Sequence, residues 1–90
     1  MDELLREMKR DVESDDSHLV REFALLSSKN VRFSSGKARF VYYKTEHPQL
    51  REKAELLVDR RLVQDVTPGN TPIYRMSDAF IAMLKAWKPE

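Results

Sequence analysis

A chain of 90 residues, 41% hydrophobic and 34% charged, has the make-up of one compact domain with a modest core, since chains of this size bury only about 60% of their unfolded surface. It contains no cysteine, which excludes disulfides and thiolate metal sites, and no run nears the roughly 20 apolar residues needed to span a bilayer. No secretory h-region opens the chain, so a cytoplasmic location is expected.

The net charge of +1 conceals an uneven distribution. Residues 1–22 hold eight acids against four bases, whereas residues 23–45 hold Lys29, Arg32, Lys37, Arg39 and Lys44 and no acid. Such a basic block suits two roles: tracking phosphates, or pairing with the acidic N-terminus in the folded state.

Asp2 to Glu13 carries Leu4, Leu5, Met8 and Val12 at helical spacing, one narrow apolar stripe. Ser14 to Ser17 follows, rich in capping residues, and Asp16 or Ser17 can start a second helix with Leu19, Val20, Phe23, Ala24, Leu25 and Leu26 as its apolar positions. Ser27 to Asn30 would end it, with Asn30 left-handed. From Val31 to Lys44 two readings compete. The aromatic and β-branched run Ala38 to Tyr43 favours a strand, with Ser34-Ser35-Gly36-Lys37 as a hairpin turn, while a serine cap at Ser34 or Ser35 suits a short helix over Gly36 to Lys44.

Pro48 is suited to open the next helix, Pro48 to Arg61, whose inner face is Leu50, Ala54, Leu57 and Val58 and whose outer face collects Glu52, Glu55 and Asp59. Beyond it the pattern alternates: Leu62, Gln64 and Val66 share one side of a strand and, after a turn containing Pro68-Gly69-Asn70 and Pro72, Tyr74 and Met76 share one side of the next. Ser77 then caps a last helix bearing Phe80, Ile81, Met83, Leu84 and Trp87.

The sequence of helix ending in Leu56-Leu57, strand Leu62-Val63, turn Pro68-Gly69-Asn70, strand Tyr74-Arg75-Met76 and cap Ser77 resembles winged-helix (winged helix-turn-helix) DNA-binding domains. The resemblance covers about Leu19 to Leu84. It implies an α+β fold, a winged helix-turn-helix with an additional N-terminal helix and a C-terminal helix, divided into a helix and linker at 1–16 and the winged-helix domain at 17–90. Leu19 to Ser28 would be its first helix, Ser35 to Lys44 its second, Thr45-Glu46-His47 the turn and Pro48 to Arg61 the recognition helix. Arg61 and Phe80 stand where the family commonly has glycine.

The function so implied is that of a small transcriptional regulator binding duplex DNA. His47, Gln49, Arg51 and Glu52 would face base edges, Gly69 and Asn70 would sit in the wing, and Lys37, Arg39 and Lys44 would contact phosphates. A second reading is a winged-helix protein-interaction module, an accessory or adaptor protein that uses the acidic helix face and the terminal apolar stripes. Those stripes fit either a homodimer surface or packing on each other within one chain.

Little in the sequence points to catalysis. His18 and His47 are expected in surface or capping roles, the serines in turns, and the carboxylates Asp15-Asp16 and Glu52/Glu55 in solvent. Of Tyr42 and Tyr43, one ring is expected in the core and one at its rim, with base stacking as the functional alternative. No enzyme activity, cofactor, metal or membrane is called for.

Overall fold

The computed structural model describes residues 1–15, 19–28 and 39–89. Its elements in chain order are α1 (Asp2–Ser14), β1 (Glu22–Leu26), β2 (Phe40–Tyr43), α2 (Leu50–Asp59), β3 (Val63–Asp65), β4 (Ile73–Met76) and α3 (Asp78–Ala86). The fold is α+β, with one four-stranded sheet in the order β2-β1-β4-β3. β1 and β2 run parallel, with Phe23 opposite Phe40, while β4 is antiparallel to both β1 and β3.

Two expected helices are strands. Residues 22–26 form β1, where Phe23, Ala24, Leu25 and Leu26 are all buried. A strand hydrogen-bonded on both sides and covered on both faces shows a continuous apolar run, and so short a run does not distinguish strand from buried helix. Likewise the short helix over Gly36 to Lys44 is replaced by β2, whose Phe-Val-Tyr-Tyr sequence has the aromatic and β-branched side chains that fit a pleated surface. Local propensity prevails there over the order of elements that a helix-turn-helix requires. Among the described residues the partner of β2 is β1, in parallel. The turn at 34–37, the left-handed Asn30, the cap at 16–17, His18 and Lys37 lie outside the described residues.

The main core lies on one face of the sheet. Phe23, Leu25, Tyr42, Val63, Tyr74 and Met76 project there and meet Leu4, Met8 and Val12 of α1, Leu50, Ala54 and Leu57 of α2, and Phe80 and Leu84 of α3. Phe23 is its centre, with the rings of Tyr42 and Tyr74 each 5.5 Å away, the first edge-on and the second stacked. Tyr42 is fully buried and Tyr43 half-buried, as a core ring and a rim ring. The stripes of α1 and α3 are thus joined in one core, and α1 shares it with the rest of the chain. The ammonium of Lys9 fastens the two helices by donating to the carbonyls of Leu84 at 2.9 Å and Lys85 at 3.2 Å, where α3 ends with unpaired acceptors.

Ser77 caps α3 as expected, its Oγ accepting from Phe80 N at 3.0 Å. The helix expected over Pro48 to Arg61 is shorter at both ends. Glu46 N and His47 N both donate to Tyr43 O, forming a tight turn directly after β2, so Pro48 lies in the turn and the left-handed Gln49 (φ 59°) leads into α2. At the other end Arg61 N donates to Val58 O and Leu62 N to Leu57 O, with Arg61 left-handed at φ 60°. This is a Schellman ending with arginine in glycine's usual place. An Arg61→Gly variant is therefore expected to gain about 0.5–1 kcal/mol, read as a shift of the urea midpoint at unchanged slope, because the left-handed backbone is strained for any side chain with a Cβ.

Candidate nucleic-acid interface

The seven residues expected to touch nucleic acid separate into distinct groups. Lys44, Gln49 and Arg51 come together, lining with Leu50 and Glu52 an open cleft of about 370 Å³ at the start of α2. Lys44, Gln49, Arg51 and Glu52 are all exposed. Gln49 O accepts the amide of Lys53 at 3.0 Å, so its backbone serves the helix while its side chain points to solvent. The left-handed Gln49 is the kind of strained residue that tends to occur where a side chain is held for a purpose.

The hairpin lies beside this cleft. Asp65, at the end of β3, accepts from Thr67 Oγ1 at 2.6 Å and Thr67 N at 3.0 Å, and Thr67 Oγ1 in turn accepts from Ile73 N at 3.0 Å. These bonds hold the Asp65 carboxyl below its usual range, and the Arg51 guanidinium adds to the effect, which brings the first turn of α2 and the base of the hairpin into one electrostatic neighbourhood. Gly69 and Asn70 are exposed beyond it, and a Cβ added at Gly69 would meet nothing within 4 Å.

Two expected contacts are turned inward. Arg39 Nε lies 2.9 Å from Glu22 Oε1, with both side chains about nine-tenths buried, and Arg75 reaches the other oxygen of Glu22 at 3.2 Å. Arg39 is therefore the one described cation of the middle block seen to pair with the acidic N-terminal stretch, and its charge is spent inside the fold. His47 is only 5% exposed, and its Nε2 lies 3.2 Å from Glu7 Oε2 on α1. It is neither a surface nor a base-reading residue. The partners are 17 and 40 residues away in sequence, too distant for any local pattern to reveal.

The outer face of α2 also differs from expectation. Tyr74, rising from the sheet, donates to Glu55 Oε1 at 2.9 Å, so Glu55 is engaged while Glu52 and Asp59 stay exposed. Burial first, and then the Glu55 carboxylate, push the Tyr74 hydroxyl up to about 12, which keeps it a donor at neutral pH. A feature with no sequence signal is Asp11 on α1: burial raises its carboxyl above the ordinary value, facing the buried hydroxyl of Tyr42. Among the described residues no cluster of His, Asp or Glu is set to hold a metal, and no helix is long and apolar enough to cross a membrane.

Comparison of the chain with protein-family models, with curated proteins and with solved structures returned no match.

Proposed function

We propose that the chain is a small winged-helix-like regulator that binds duplex DNA through the first turn of α2 and the hairpin beyond β3, with strands β1 and β2 in place of the usual first and second helices. The observation that carries this reading is the convergence of Lys44, Gln49 and Arg51 on one exposed cleft at a helix N-terminus. Those are a phosphate-binding cation, an amide suited to adenine and a guanidinium suited to guanine, placed where the helix dipole favours an anion. The engagement of Glu55 by Tyr74 removes one carboxylate from the face that would meet phosphates. The protein-interaction reading has less support, since the same hydrogen bond interrupts the acidic face and the terminal stripes are used in the core.

In vitro selection from a random duplex library, followed by affinity measurements at several salt concentrations, tests the proposal. Arg51→Ala or Gln49→Ala is expected to relax base preference at one position, costing about 1–3 kcal/mol there. Lys44→Ala is expected to weaken binding to every sequence and lower the salt slope by about 1. Failure to enrich any motif, together with no binding at low salt, would remove the assignment.

A further inference from the structure

β3 is an edge of the sheet: among the described residues no strand lies beyond it. Its backbone geometry decides which groups are free. Ser77 N donates to Leu62 O and Val66 N to Ile73 O, and bonded pairs alternate along an antiparallel ladder, so Gln64 exchanges its bonds with Arg75. Val63 and Asp65 consequently aim their N–H and C=O groups away from β4. A cleft of about 390 Å³ adjoins β3, lined by Val63, Gln64 and Asp65 and by Arg75, Met76 and Ser77. Val58 and Arg61, at the end of α2, line it as well.

The charges along this edge are self-complementary. Exposed Arg61, in the turn that ends α2, precedes the strand, and exposed Asp65 closes it. We infer that the β3 edge is a homodimer surface on which a second copy of this chain pairs antiparallel about a two-fold axis at Gln64, extending the sheet across both copies. In that register Val63 of each copy exchanges backbone hydrogen bonds with Asp65 of the other, the two Gln64 amides face each other, and the Arg61 that precedes each strand comes to the end where Asp65 of the second copy stands. Parallel pairing would set like charges side by side. The stripes of α1 and α3 are buried within the chain and do not supply a competing dimer surface. The inference is independent of DNA binding.

Sedimentation of the full chain from about 1 μM to about 1 mM reads it directly. A monomer–dimer equilibrium is expected. Arg61→Glu and Asp65→Lys are each expected to weaken it about tenfold or more, because both symmetry-related contacts become repulsive. The Arg61→Glu/Asp65→Lys double variant, with opposite charges restored, is expected to recover most of the association. Arg61→Glu, at an exposed side chain, should keep the wild-type urea midpoint to within about 1 kcal/mol, whereas Asp65→Lys also gives up the bonds from Thr67, so circular dichroism and urea unfolding of each variant are read beside the sedimentation. A monomer at every concentration overturns the inference, and so does a dimer indifferent to both single reversals or a double variant no tighter than the singles.

Discussion

Phe23→Ala is expected to cost about 3–5 kcal/mol, the range for truncating a fully buried aromatic residue. Phe23 has no exposed surface and lies against the rings of Tyr42 and Tyr74, so removing it opens a cavity at the place where three strands contribute to the core. Its neighbours have limited room to relax. Tyr74 is tethered by its hydroxyl to Glu55, and Tyr42 lies in β2, paired to β1. Domains have about 5–15 kcal/mol of total stability, so this single change removes about a fifth of it at the least. Thermal melting should fall by roughly 12–40 °C at 4–8 °C per kcal/mol. A loss under about 1 kcal/mol would mean that Phe23 is not central to the core.

The second large effect is expected at Arg39. Arg39→Ala breaks the pair with the mostly buried Glu22 while Arg75 stays beside it, and the cost is expected to be about 2–3 kcal/mol. That is below the full range for an orphaned buried charge because Arg75 still compensates in part. Replacing the pair together, as Glu22→Leu/Arg39→Met, is expected to restore much of the loss, since packed apolar side chains serve a mostly buried site about as well as an ion pair. Urea unfolding of the two variants supplies the comparison. The result also separates two roles for a basic residue. Arg39→Ala should change stability and leave the salt slope of any DNA binding unaltered, the reverse of Lys44→Ala.

The second half of the chain was legible in its sequence because its signals are local. Pro68, Pro72 and Gly69 mark the hairpin loop, Ser77 marks the start of α3, and the spacing of Leu50, Ala54 and Leu57 marks the inner face of α2. In the first half α1 was legible, and the aromatic and β-branched run ending at Tyr43 favoured the strand that β2 is, whereas β1 and the pairing of the two were not. Residues 22–26 have no polar alternation because β1 is central, and β2 owes its place to a parallel partner that begins 18 residues earlier in sequence. The site divides in the same way. Lys44, Gln49 and Arg51 occupy one turn and the start of the helix it feeds, so their convergence follows from spacing. Arg39 and His47 are diverted by carboxylates that only the tertiary fold brings near.

The tie between Lys9 and the carbonyls of Leu84 and Lys85 spans 75 and 76 residues. Together with the packing of α1 on α3, it places the first and last helices against each other. The part of the α1 stripe that packs on α3 therefore stays uncovered during synthesis until residues 78–86 have been made, and loop-closure entropy must be met before that contact contributes. A product that stops short of α3 lacks Phe80 and Leu84 in its core and presents the apolar surface they cover to chaperones and proteases.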